Sequence, residues 1–160
     1  MKDAKKVLIR RPNPGRFAAE AKTVSALFIQ ARRTALPKLK VLRSDDETHE
    51  WMREVVFPRR SIRIAELDGT IVGFAARDGA WLEHLYVKVG FTGQGIGSEL
   101  LNVVISEAKP VTPVLRLHTF QCNEAARRFY ERHGFVAVAF GDGTGNEEGE
   151  PDVRYERKLR

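Results

Sequence analysis

Between Val87 and Ser98 the chain reads Val-Lys-Val-Gly-Phe-Thr-Gly-Gln-Gly-Ile-Gly-Ser, and this stretch carries its strongest chemical signal. Glycines at 93, 95 and 97 remove the Cβ atoms that would hold a ligand away from the backbone. A helix that starts here offers several unpaired N–H groups and a partial positive charge, a combination suited to a pyrophosphate. The stretch contains no Gly-Lys-Ser/Thr, so it is not a Walker loop. The spacing G-x-G-x-x-G also fails, because position 98 is serine. Taken alone, the glycines fit a flexible turn with a helix cap as well as a phosphate cradle.

A second segment, Asn123-Glu124-Ala125-Ala126-Arg127-Arg128-Phe129-Tyr130-Glu131-Arg132-His133-Gly134-Phe135, opens with a helix-capping residue and closes with a glycine stop. Small Ala126 allows a neighbouring group to approach closely. Tyr130 on its own reads as a half-buried core aromatic with a polar tip.

The remaining sequence must position these two segments. Val7–Arg10 is a short apolar start that the turn-former Arg-Pro-Asn-Pro-Gly at 11–15 ends. Phe17, Val24, Leu27, Phe28 and Ala31 recur at helical spacing over 16–33, and Pro37 closes that segment. Ser44 caps a second helix, with Glu47 three residues on, and Pro58 is expected to stop it. Strands follow over 62–67 and 71–76, joined at Asp68-Gly69, and then over 81–87. Leu100, Leu101, Val104, Ile105 and Ala108 mark a helix. Strand 114–119, helix 123–133 and strands 135–140 and 153–159 complete the order. The glycine-rich, acidic stretch 141–151 is expected to be a mobile loop. Strands and helices interleaved in this way predict an α/β (α+β) sheet with helices on its faces.

Composition narrows the function classes. A chain of 160 residues has room for one domain, read as spanning 1–160, and buries roughly 68–70% of its unfolded surface without staples. No apolar run approaches the ~18–20 residues of a membrane span. The N-terminus has no secretory pattern, and Cys122 stands alone, so no Cys-cluster metal site is expected and the protein is read as cytoplasmic. Residues 1–63 carry +9 and residues 64–160 carry −3, for a net charge of +6. The cations come in scattered pairs without a nucleic-acid-binding signature, so a solvated basic surface outweighs a nucleic-acid partner.

Taken together, the two segments resemble the GCN5-related N-acetyltransferase (GNAT) superfamily. Thr92-Gly93-Gln94-Gly95-Ile96-Gly97 is similar to its Gln/Arg-x-x-Gly-x-Gly/Ala turn, departing at Thr92. Asn123 to Phe135 meets its Asn-x-x-Ala-x-x-Phe-Tyr-x-x-x-Gly-Phe motif in full, and Leu85-Tyr86-Val87 looks like its cofactor-side strand. The resemblance implies a mixed, mostly antiparallel sheet with splayed parallel strands, and acetyl-CoA as co-substrate in the splay. It assigns cofactor contacts to Leu85, Tyr86, Val87, Thr92, Gly93, Gln94, Gly95, Ile96, Gly97, Ser98, Asn123, Ala126 and Tyr130.

The implied reaction is direct attack of an amine on the acetyl carbonyl, which leaves Cys122 without a nucleophile's role. Tyr130 matches the tyrosine that protonates the departing thiolate. By the period of two, Glu83 shares a face with Leu85 and Val87, which makes it the expected base or water-positioning group. His84, on the opposite face, and His118 are lesser candidates. Glu147, Glu148, Glu150 and Asp152 form an acidic cluster that either attracts a cationic amine or serves solubility. The acceptor is thus an unidentified small-molecule or peptide amine, and exposed edge strands leave room for a homodimer. A catalytically inactive acyl-CoA-binding regulatory domain is the alternative.

Overall fold

The structure, a computed structural model, describes residues 6–160. Its sheet has seven strands: β1 (Leu8–Arg10), β2 (Ser61–Leu67), β3 (Thr70–Asp78), β4 (Trp81–Val87), β5 (Val114–Phe120), β6 (Val136–Gly141) and β7 (Asp152–Lys158). They lie in the order β1-β2-β3-β4-β5-β7-β6, antiparallel everywhere except β4 against β5. This is the mixed, mostly antiparallel sheet that the family resemblance implies. The β2–β3 hairpin turns on Asp68 and Gly69, both at positive φ (51° and 76°), as an Asp-Gly turn requires.

Five helical segments cover the sheet: α1 (Phe17–Ala35), α2 (Asp45–Trp51), α3 (Phe57–Arg59), α4 (Ile96–Ala108) and α5 (Glu124–Arg132). Ser44 Oγ accepts from the Glu47 N–H and the Glu47 carboxylate accepts from the Ser44 N–H, the reciprocal box that their spacing predicts. A π-helical turn over Met52–Val56 carries the helical path through Pro58 to Arg59, so the helix ends within one residue of the expected proline stop.

Two cores result, one on each face of the sheet. On one face α4 and α5 bury Leu100, Leu101, Val104 and Tyr130 against Val72, Leu82, Leu115, Leu117 and Tyr155. On the other, Val24, Leu27, Phe28, Met52 and Val56 pack on Ile62, Ile64 and Phe74. The N-terminal end of α1 is fixed by buried Glu20, which accepts from Arg10 Nη2 at 2.5 Å and from the Asn13 N–H at 2.6 Å. No helix among the described residues is long and apolar enough to cross a membrane.

Residues 141–151 are held in place, contrary to the expected mobile loop. Asp142 accepts from the Thr144 N–H and hydroxyl, and the Asn146 side chain bonds both the N–H and the carbonyl of Glu150. Glu148 and Glu147 then reach across to Arg32 and Arg43, each at 2.8 Å.

Candidate active site

The site begins where β4 and β5 part. A single register pair, Trp81 with Arg116, joins them, and the Arg116 N–H donates to the Ala80 carbonyl at 2.8 Å. Past that rung the strands diverge, so Leu85, Tyr86 and Val87 border a gap inside the sheet. The chain leaves β4 through a turn in which Lys88 N–H bonds Val72 O at 2.8 Å, and Gly90 takes φ 93°.

Gly93 and Gly95 follow at φ 77° and 83°, and Gly95 is the N-cap of α4. No side chain caps α4, so the N–H groups of Ile96, Gly97 and Ser98 face outward without an intrahelical partner. A Cβ at Gly93 or Gly95 would project into open space beside these amides. The cradle therefore fits a pyrophosphate through backbone groups. Thr92 and Gln94 are exposed, while the Ile96 side chain is sunk in the core and anchors the helix start. Gly97 serves another purpose: a Cβ there would meet the Phe129 ring at 3.4 Å, so glycine lets α5 pack against α4.

Sequence reasoning passed over His133, which links the two motifs. Its Nδ1 lies 2.8 Å from the Phe129 carbonyl and its Nε2 3.0 Å from Ser98 Oγ. A carbonyl only accepts, so Nδ1 donates to it and the Ser98 hydroxyl donates to Nε2. Asn123 caps α5, its Oδ1 accepting from the Ala126 N–H at 3.2 Å. Ala126 packs partly buried against the same core. Tyr130 is buried beside Phe129, Phe135 and Tyr155, with no hydrogen-bond partner for its hydroxyl among the described residues. Burial pushes its phenol well above the ordinary range, and the nearby Tyr86 phenol adds to the shift.

Glu83 does not share the face of Leu85 and Val87. Ala76 and Arg77 of β3 pair with His84 and Leu82, which leaves Glu83 as the extra residue of a bulge in β4, and Leu82, Leu85 and Val87 all join the α4-side core. The bulge breaks the strict alternation on which the expectation rested. The Glu83 carboxylate instead accepts from Arg60 Nε and lines a cavity on the α1 side. His84 opens onto the same cavity, its ring 5.5 Å from Phe28 and 5.4 Å from Trp51. Burial, with Arg32 and Arg60 adding to it, lowers the His84 pKa to about 4, so the ring is neutral at pH 7. Cys122 is exposed, and burial together with Glu150 pushes its thiol up, away from the reactive thiolate.

The cavity measures about 480 Å³ and lies between α1, α2, β4 and the ends of β5 and the 141–151 loop. Phe28, Trp51, His84 and Tyr86 form its inner wall, with Phe28 and Tyr86 in edge contact at 5.0 Å. Arg32 lies over both Phe28 and Phe120, at 5.7 and 5.8 Å from the ring centroids. Its Nη2 donates to Glu148, whose side chain is 16% exposed. The predicted acidic cluster is thus divided: Glu147 and Glu148 pair with arginines at the cavity, while the Glu150 backbone and Asp152 side chain bond Asn146 within the loop. Among the described residues no group of three or more His, Cys, Asp or Glu side chains is arranged to hold a metal ion.

Comparison with known proteins bears on what this arrangement is. The profile of the family described as "Acetyltransferase (GNAT) family" matches residues 27–135. The spore coat polysaccharide biosynthesis protein SpsD of Bacillus subtilis is 29% identical over 136 residues, 79% of this chain and 46% of that protein. An uncharacterized N-acetyltransferase of Archaeoglobus fulgidus is 32% identical over 98 residues, 54% of this chain and 66% of that protein. The chain thus spans less than two thirds of the length of either relative. Among solved structures, yncA of Salmonella typhimurium, solved with its cofactor acetyl-CoA, superposes with a TM-score of 0.73 at 18% identity. That likeness covers 97% of this chain and 95% of the other, and it concerns the fold.

Proposed function

The chain belongs to the acetyltransferase (GNAT) family, and from that premise we propose that residues 1–160 form one domain that transfers the acetyl group of acetyl-CoA directly to a primary amine. The observation carrying this reading is the parted β4–β5 pair running into uncapped α4 amides beside Gly93 and Gly95. An extended ligand with a pyrophosphate fits that path. The presence of acetyl-CoA in yncA, which shares the fold, supports the same reading.

In the reaction, backbone groups of Leu85, Tyr86 and Val87 pair with the pantetheine arm across the gap. The amides from Gly93 to Ser98 hold the pyrophosphate, with Thr92, Gln94 and Ile96 contributing through the main chain. Asn123, its Oδ1 engaged in the cap, offers its amide N–H. Bound acetyl-CoA supplies an activated thioester. The acceptor arrives as an ammonium ion and must lose a proton before its nitrogen is nucleophilic. Glu83 takes that proton through water on Oε2, since Arg60 occupies Oε1. His84 holds a proton only below about pH 4, which makes it a poor base at neutral pH. Tyr130, protonated throughout the neutral range, donates to the departing sulfur.

The acceptor sits in the 480 Å³ cavity on the other side of β4. A cytoplasmic location belongs to this reading. The engagement of Glu83 by Arg60 favours a second reading, an acyl-CoA-binding regulatory domain without turnover. Thermal unfolding with acetyl-CoA, CoA and NAD at equal concentrations tests the cradle. A native-state ligand at 100 times its Kd adds about 2.7 kcal/mol. Stabilisation by both CoA species and not by NAD is expected, and no CoA-dependent shift would overturn the reading. CoA release with an amine panel then separates enzyme from sensor.

A further inference from the structure

Resting on the acyl-transfer reading above, we propose that the acceptor is a zwitterionic α-amino acid with an apolar or aromatic side chain. Its carboxylate binds the Arg32 guanidinium, and its amine lies beside Glu148 and Tyr86.

The argument begins with charge. Four basic and four acidic side chains line the cavity, so it has no net field to draw in a polycation. Three of its acids are already paired within the wall (Glu148 with Arg32, Glu147 with Arg43, Asp45 with Arg33), and Glu83 is held by Arg60. A polyamine would find each of these carboxylates already balanced by an arginine, with no surplus negative charge to hold several ammonium groups. An ion pair fixed in an aromatic wall instead complements a molecule carrying both charges on adjacent atoms.

Arg32 and Glu148 have the capacity to take such a molecule. Their pairing engages Nη2 of the guanidinium and Oε1 of the carboxylate. The other guanidinium N–H donors and Oε2 have no hydrogen-bond partner among the described residues. The two side chains are 29% and 16% exposed, enough to meet a small ligand from the cavity side. Arg32 stacks on Phe28, and Phe28 touches both His84 and Tyr86 on β4. A carboxylate on Arg32 therefore sets an α-amine, one carbon away, against the strand that borders the thioester gap.

The rest of the wall chooses the side chain and the size. Phe28, Trp51 and neutral His84 are rings that favour an apolar group. The cavity volume lies in the ordinary small-molecule range of roughly 300–1,000 Å³. The Arg43–Glu147 pair joins the α1–α2 connection to the 141–151 loop across the mouth, which disfavours a folded protein as acceptor. The transfer balances simply. The ammonium loses one proton, the nitrogen lone pair forms the C–N bond and the C–S bond breaks, and a second proton leaves nitrogen to balance the one that Tyr130 gives to sulfur. N-acetyl amino acid, CoA and one net proton result.

The test has two arms. In the first, tryptophan fluorescence of the protein without acetyl-CoA is titrated with L-leucine, L-methionine, isoamylamine and spermidine. Quenching by the two amino acids, at least tenfold tighter than by isoamylamine, is expected because Trp51 lines the site. In the second, CoA release is followed with L-phenylalanine, phenethylamine, spermidine and a lysine-containing peptide. L-phenylalanine should give the highest kcat/KM. Arg32→Met, which keeps an apolar stem, should raise the ratio of KM for L-phenylalanine to KM for phenethylamine at least tenfold. The ratio cancels any general loss of activity. Preference for spermidine or the peptide, an unchanged ratio, or amino-acid binding no tighter than that of isoamylamine would overturn the proposal. Stabilisation by acetyl-CoA alongside any of these results would leave the acyl-transfer reading standing, whereas no stabilisation would remove that reading itself.

Discussion

Trp81 and His118 stack face to face, ring centroids 5.1 Å apart and 9° from parallel, at the rung where β4 and β5 last touch. The pair closes the inner end of the gap on its α1 side, and His118 also lines the acceptor cavity. What holds the sheet together there is one register pair and one ring stack.

A double-mutant cycle of Trp81→Ala and His118→Ala should therefore give a coupling energy of about 0.5–1.5 kcal/mol, the usual worth of an aromatic pair beyond its area. Urea unfolding of the four proteins measures it. Additive effects would mean that the stack carries no stability of its own.

Tyr130→Phe should lower kcat by about 10²-fold or more while leaving acetyl-CoA affinity within a fewfold. Because burial raises the phenol well above its ordinary pKa of 10.0, the acid stays protonated as pH rises. The kcat profile should then show no alkaline fall attributable to this group up to about pH 10. A fall near pH 9 that disappears in the phenylalanine variant would contradict the assignment.

Glu83→Gln should lower kcat/KM by about 10²-fold or more while leaving acetyl-CoA affinity within a fewfold. His84→Gln, at a ring that is neutral down to about pH 4, should cost much less. Undiminished kcat/KM in the Glu83→Gln variant, measured by CoA release, retires Glu83 as the base.

Gly95→Val forces a β-branched residue to φ 83° and fills the space in front of the α4 amides. Left-handed backbone costs a non-glycine residue roughly 1–2 kcal/mol, so the fold should survive with a lower Tm. The acetyl-CoA-dependent rise in Tm should vanish. A retained rise would put the pyrophosphate elsewhere.

Glu20 contributes an acid-sensitive share of stability. Burial alone would raise its pKa, but hydrogen bonds from Arg10 and the Asn13 N–H outweigh burial and the net shift is downward. A depressed folded pKa stabilises fully above the unfolded value, here 4.5, and that contribution is lost as pH falls through the folded value. Wild type should thus lose stability on acidification below about pH 5 more steeply than Glu20→Gln, as followed by Tm against pH.

Local signals carried much of this structure. The Ser44–Glu47 box, the Asp68-Gly69 turn and the Asn123 cap are written within four residues each, and each forms as read. The glycine turn was legible for the same reason, although Gly97 answers to Phe129 and not to open space. What escaped depends on distant partners. The β4 bulge that turns Glu83 away from Leu85 is a property of two strands in register, invisible in the period of one. Arg32 and Glu148 stand 116 positions apart, and nothing near either residue announces the other. The local sequence therefore leaves the acidic cluster open between attracting an amine and serving solubility, whereas Glu148 pairs with Arg32 of α1.

The parting of β4 from β5 has a consequence for how the molecule comes apart. Most sheets fray from the rim, but here the backbone ladder is unfinished at its centre, between two leaves of four and three strands joined by a single rung. Cooperativity should be weakest along that seam, and amides of Leu85–Val87 and Leu117–Phe120 that face it should exchange with solvent faster than those between β2 and β3. A ligand lying in the gap acts as a missing strand. Its binding would be felt as much in the welding of the two leaves into one unfolding unit as in the grip on the ligand itself.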